Sequence, residues 1–116
     1  MSDKPFDLSE RLEDFAAAII ILYNNKPSSF AGEYLAKQLI RSSCSSALNY
    51  GEALGAGTAK DKVHKLRICL KELRESLRNL NIQVKANILP ENSLNTLRDE
   101  NDQLIRIIVT RIKNSN

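Results

Sequence analysis

Between Val63 and Leu80 the chain reads VHKLRICLKELRESLRNL, and its apolar positions Val63, Leu66, Leu70, Leu73, Leu77 and Leu80 recur at alternating steps of three and four. That period is the signature of a helix that buries one seam against other helices. One residue further on, at the same steps, run His64, Arg67, Lys71, Arg74 and Arg78, so a basic stripe lies roughly a hundred degrees round the helix from the seam. One helix therefore carries both the core signal and the main charge signal of the chain.

Three further helices follow from the same pattern. Asp7 and Glu10 have capping-box spacing before Leu12, Phe15, Ala16, Ile19, Leu22 and Tyr23, and Asn24, Asn25, Lys26 and Pro27 are expected to stop that first helix. Ser28 or Ser29 can cap a second helix from Phe30 to Leu54. Its middle, Ser42 to Ala47, is nearly all small residues; serine is a modest helix former, but small side chains let a neighbouring helix approach closely. Gly55, Ala56 and Gly57 should end it through a left-handed glycine, with Thr58 and Asp61 opening the Val63–Leu80 helix. Asn81 to Asn92 has no sustained period and reads as a connection, with room at its start for a frayed end of that helix. Asn92 or Ser93 then caps a fourth helix, whose buried stripe is Leu94, Leu97, Leu104, Ile105, Ile108 and Ile112, with acids early and Arg111 and Lys113 late, as the helix dipole favours.

Short connections favour antiparallel neighbours, so the expected fold is all-α: an antiparallel up-down-up-down four-helix bundle, one domain over residues 1–116. Apolar residues wrap beyond one stripe at Ile19–Leu22 and at Ile105, Ile107, Ile108 and Val109, which implies burial on more than one side and hence a homo-oligomer. Aromatics are 5% of the chain and there is no Trp, so the core should be aliphatic. The net charge of +3, with a pI near 9.0, tilts partners mildly toward acidic ones. The opening residues lack the pattern of a secretory signal, and the longest apolar run, Phe15 to Tyr23, is about half of the ~20 residues needed to span a bilayer. The expectation is a cytoplasmic chain with no membrane contact and with Cys44 and Cys69 as reduced thiols.

Chemistry is sparse. Arg41, Ser45, Asn49 and Glu52 share one face of the second helix, and folding back near Gly57 pairs positions that sum to roughly 114. That register sets Arg41 near Glu72, Asn49 near Lys65, Glu52 near Lys62 or Lys65, and Cys44 near Cys69. Such a set reads as an ion-pair and hydrogen-bond network that fixes register, the alternative being a ligand or active site. His64 is the only histidine, with no cysteine three or four residues from it, so neither a Cys–His nucleophile nor a zinc site is supported. The glycines before Thr58 lack the strand and the Gly-Lys-Ser/Thr ending of a phosphate loop. No catalytic residue, cofactor or metal is expected. The stripe of His64, Arg67, Lys71, Arg74 and Arg78, with Glu75 beside both Lys71 and Arg78, is either a solvated or acid-paired face or a phosphate-binding surface. With few aromatics for stacking, any nucleic-acid binding should be electrostatic and weakly sequence-specific.

FDLSERLEDFA, LAKQLIRSSCSSALNYGEA, KDKVHKLRICLKELRESLRNL and DENDQLIRIIVTRIK together resemble the bacterial four-helix-bundle proteins encoded in intervening sequences of large-subunit ribosomal RNA genes. The most specific element is Gln38, Arg41, Ser42, Ser45, Asn49 and Glu52, followed by Lys60, Asp61, Lys65, Leu66, Lys71, Glu72 and Glu75. A more distant likeness is to the accessory variability determinant of diversity-generating retroelements, a basic bundle that forms a pentameric barrel and binds a reverse transcriptase and nucleic acid. The resemblance implies a pentamer, with RNA, DNA or a nucleic-acid-processing enzyme as partner. The function expected is a non-enzymatic oligomeric bundle that binds nucleic acid or such an enzyme through the basic stripe; the alternative is a structural or protein-interaction module that binds none.

Overall fold

In the computed structural model, residues 7–24 and 29–115 are described, and they form four helices: α1 (Leu8–Asn24), α2 (Phe30–Leu54), α3 (Ala59–Lys85) and α4 (Glu91–Asn114). The starts of α1, α2 and α3 each reflect a local donor being satisfied. Asp7 Oδ1 accepts from the Glu10 amide at 3.1 Å, Ser29 Oγ from the Gly32 amide at 3.0 Å, and Thr58 Oγ1 from the Asp61 amide at 3.0 Å. Three helices thus open on the short polar side chain that satisfies otherwise unpaired amides. The expected stop at Asn25, Lys26 and Pro27, and the alternative cap at Ser28, lie outside the described residues.

Three boundary expectations are corrected. No described glycine takes a positive φ; Gly55 ends α2 at φ −94° and ψ 5°. The left-handed residue is instead Asn87, at φ 56°, and α3 runs on to Lys85 through what read as a connection. There Ile88 N–H donates to the Gln83 carbonyl at 3.0 Å and Asn87 N–H to the Val84 carbonyl at 3.2 Å, which is a Schellman stop with asparagine in the place usual for glycine. α4 begins at Glu91 behind Pro90, with no side-chain cap, so Asn92 and Ser93 lie in its first turn. Proline suits that edge because it has no amide hydrogen to leave unpaired.

Packing runs round a ring in which α2 meets α3, α3 meets α4, and α1 meets both α2 and, most sparsely, α4. The bonds Lys65–Glu52, Arg41–Glu72 and Asn79–Leu35 sum to nearly constant values, which makes α2 and α3 antiparallel; Arg98–Asn81 and Asn101–Leu73 do the same for α3 and α4. The antiparallel four-helix bundle is therefore the observed architecture. Its centre is aliphatic, as the composition requires: Leu12, Ile19, Leu39, Leu66, Leu73, Leu80, Leu94, Leu104 and Ile108 are all fully buried. Each contributes on the order of 1.5–3 kcal/mol of burial. The sparse α1/α4 seam is held by a two-pronged ion pair, Arg11 Nε and Nη2 each donating to Glu100 at 2.7 Å.

The α2/α3 seam differs in character. Ser42, Ser43, Ser46 and Ser76 are completely buried, and the Ser42 and Ser76 hydroxyls bond each other at 2.7 Å. Ser43 and Ser46 donate to carbonyls of their own helix; within the Ser42–Ser76 pair one hydroxyl donates to the other, and the accepting one donates to the Leu39 or Glu72 carbonyl of its own helix, so the seam buries hydroxyls without orphaning them. The serine run is a close-packing surface. Among the described residues no helix is long and apolar enough to cross a membrane.

Candidate functional site

The polar face read from the sequence assembles in part. Arg41 Nη1 donates to Glu72 Oε2 at 3.2 Å, and Arg41 Nη2 also meets Glu75; Lys65 Nζ reaches Glu52 at 2.6 Å, which leaves Lys62 out of that pairing. The Asn49–Lys65 pairing is not formed. Asn49 instead donates to the Ser45 carbonyl at 2.9 Å and the Ser45 hydroxyl at 3.1 Å, because a short amide reaches its own preceding turn more readily than the next helix. Glu72 is nearly buried, its side chain 8% exposed, whereas that of Arg41 is 48% exposed. The half-wet arginine therefore shields one oxygen of a carboxylate whose Oε1 has no partner among the described residues.

Cys69 sits beside this cluster. Burial, reinforced by the Glu72 charge, pushes its thiol up to about 12, so it stays protonated at neutral pH and serves as a small apolar core residue. Cys44 is half-buried, and both cysteines are free thiols. No group of three or more His, Cys, Asp or Glu is placed to hold a metal among the described residues.

The basic stripe lies on the far side of α3. His64, Arg67, Lys71, Arg74 and Arg78 are all exposed, and none is bonded to a described acid. The expectation that Glu75 would sit between Lys71 and Arg78 is corrected: Glu75 turns the other way, to Arg41. This segregation has a geometric cause. Glu72 and Glu75 precede the stripe on the α2-facing flank of the helix, so α2's arginine takes them and the stripe keeps its charge. With α3 extended to Lys85, Lys60 and Lys85 fall on the same face, and the cationic line runs roughly 38 Å at 1.5 Å per residue.

Toward α4 the stripe borders a groove. One recess of about 460 Å³ is lined by Arg74, Leu77, Arg78, Asn81, Asp102 and Ile105. A second, of about 360 Å³, shares Leu77, Asn81 and Asp102 with it and adds Asn95, Arg98 and Asp99. Asp102 is already paired with Arg106 at 3.0 Å, and Arg98 is held over the groove by its bond to Asn81 at 3.0 Å.

Sequence reading missed one network entirely. Tyr23 Oη donates to Gln83 Oε1, Gln83 Nε2 to Asn79 Oδ1 at 2.7 Å, and Asn79 Nδ2 to the Leu35 carbonyl at 3.0 Å. Gln83 is wholly buried and Asn79 nearly so, and the chain of bonds ties α1, α3 and α2 together at one end of the bundle. The available signal was the polar repeat Glu72, Ser76, Asn79 and Gln83 at steps of four, three and four, which marks a second buried face.

Fold and site together define a class of protein: a short antiparallel four-helix bundle with a buried polar α2/α3 seam and an open basic ridge. The chain belongs to the 23S rRNA-intervening sequence protein family, whose profile matches residues 5–110. It is similar in structure to a protein of unknown function from the S23 ribosomal protein family of Bacteroides thetaiotaomicron. The two are 23% identical and superpose with a TM-score of 0.82 over 92% of this chain and 99% of that one; the likeness establishes the fold. No curated protein matches the chain.

Proposed function

We propose that this protein is a non-enzymatic, oligomeric bundle that binds the phosphate backbone of nucleic acid along the exposed face of α3. The observation that carries the reading is the contrast between paired and unpaired cations. Arg11, Arg41, Lys65 and Arg106 all have carboxylate partners, whereas Arg67, Lys71, Arg74 and Arg78 share a solvent-facing line with His64 and have none among the described residues. Unpaired like charges at three- and four-residue spacing repel one another slightly, and an external polyanion relieves that repulsion while releasing its own counterions. A family named for intervening sequences of ribosomal RNA is consistent with such a partner. A nucleic-acid-processing enzyme with an acidic face is the related possibility, and a packing module without nucleic acid is the competing one.

A salt titration separates them. RNA and DNA oligomers are expected to bind at low salt, with log affinity falling linearly in log salt and a slope of magnitude about 3–5 for four or five phosphate contacts. Absence of retention at low salt would leave the packing module.

Assembly is proposed from the opposite side. The large exposed apolar residues concentrate on α1 and α2, at Ile20, Ile21, Phe30, Tyr34, Leu48 and Leu54, with only Ile82 among those described on α3. On α4 the apolar excess is absorbed: Ile108 is buried and Ile105, Ile107 and Val109 are half-buried. Covering the α1/α2 side leaves the α3/α4 side open. The resemblance noted in the sequence favours five copies; light scattering at micromolar protein is expected to return a multiple of the 13.0 kDa chain mass, and a single-chain mass would refute assembly.

A further inference from the structure

Resting on that reading of the α3 face, we infer that the ligand is a single strand of nucleic acid seated in the groove between α3 and α4, and not a duplex laid across the ridge. The asymmetry of charge about α3 carries this. On the α4 side the stripe borders the groove: Arg74 and Arg78 line one recess with Leu77 and Ile105, and Arg98 lines the adjoining one, which shares Leu77. On the α2 side lie Glu75 and Glu52, with side chains 43% and 59% exposed. A helix that enters a duplex groove has phosphates along both of its flanks. Here the α4 flank sets Arg74, Arg78 and Arg98 against Asp99 and Asp102, whereas on the α2 flank Glu75 and Glu52 are already met by Arg41 and Lys65, which leaves no cation in excess there for a second strand. A single strand needs one charged track with a surface for its bases beside it.

The groove supplies that surface. Half-buried Leu77 and Ile105 offer apolar contact to base faces, and the Asn81 amide stands at the edge with both donor and acceptor capacity. Among the described residues no aromatic side chain lines either recess, so aromatic stacking contributes little and the site should tolerate many sequences. Asp99 and Asp102 are the groove's internal opponents; Asp102, which lines both recesses, takes up Arg106 and presents a negative charge where the backbone would pass.

The test pairs two substitutions of equal charge change on opposite flanks, Asp102→Asn in the groove and Glu52→Gln beyond the α2 flank, each of which frees one cation. Fluorescence anisotropy with a 20-nucleotide oligouridylate, the matching oligodeoxythymidylate, an abasic strand of the same length and a duplex of the same length reads the outcome. The wild-type protein is expected to bind both intact strands about tenfold or more tightly than the duplex, with the abasic strand weakened toward it. Asp102→Asn should tighten single-strand binding about threefold to tenfold, the scale of one unit charge removed at a few ångströms in a partly wet site, and Glu52→Gln should change it less than twofold. Equal tightening by both variants, or a duplex bound as well as the strands, overturns the groove assignment while leaving phosphate binding standing. Failure of every oligomer to bind at low salt overturns the underlying reading as well. The ribose and deoxyribose arms separate RNA from DNA: equal affinity is the result expected from contacts to phosphates and base faces, and a strong preference for one strand type would overturn that seating.

Discussion

Replacing all four guanidinium and ammonium groups of the ridge, as Arg67→Glu, Lys71→Glu, Arg74→Glu and Arg78→Glu, is expected to lower nucleic-acid affinity by about 10³-fold at low salt while leaving the bundle folded. The reasoning separates the two effects. Each phosphate contact releases counterions and adds about one unit to the salt slope, and at roughly 1 kcal/mol per exposed contact four of them amount to about three decades of affinity. Among the described residues, none of the four side chains contributes to the core or to an ion pair. Exposed substitutions of this kind usually change stability by less than about 0.5 kcal/mol each. Neutralising the same positions with glutamine should fall between wild type and reversal and flatten the salt slope. Circular dichroism and urea unfolding provide the folding control. Unchanged affinity in the folded reversal variant would remove the ridge from the function.

Gln83→Ala is expected to cost about 3 kcal/mol, out of a total stability that for a chain of this size is on the order of 5–15 kcal/mol. The residue is fully buried and stands between Tyr23 and Asn79. Truncation removes its packing volume and orphans the Asn79 carbonyl oxygen and the Tyr23 hydroxyl, and each unpaired buried group costs about 1–3 kcal/mol. Gln83→Met keeps most of the volume and loses the bonds, so it divides the two contributions and should recover about half of the loss. The measurement is urea denaturation at one fixed protein concentration, because assembly would otherwise shift the midpoint. A loss below about 1 kcal/mol for Gln83→Ala would mean that the bond chain does not help to hold the helix ends together.

These two positions also show how far a sequence reaches. The ridge was legible because helical periodicity is a local property: steps of three and four fix which residues share a face whatever the neighbours do. The Arg41–Glu72 and Glu52–Lys65 pairs were legible too, since one antiparallel turn converts numbering into register. Gln83 was not. The stretch around it lacks a conspicuous apolar period, and the residue that stops the helix is Asn87, with no glycine nearby to mark the end. Asn49 went to Ser45 and Glu75 to Arg41 for the same kind of reason. Several partners lie within reach of each long polar side chain, and only the full set of distances selects one.

By itself, then, the chain determined the number and kind of its elements, their antiparallel order, the aliphatic core and the cationic line on α3, all consequences of spacing within one helix or across one short turn. Only the tertiary structure decided which charges are cancelled. Packing α3 against α2 draws Glu72 and Glu75 to Arg41 on one flank and opens a groove against α4 on the other. Electrostatic pairing depends on distances between helices, and no period within a single helix encodes them.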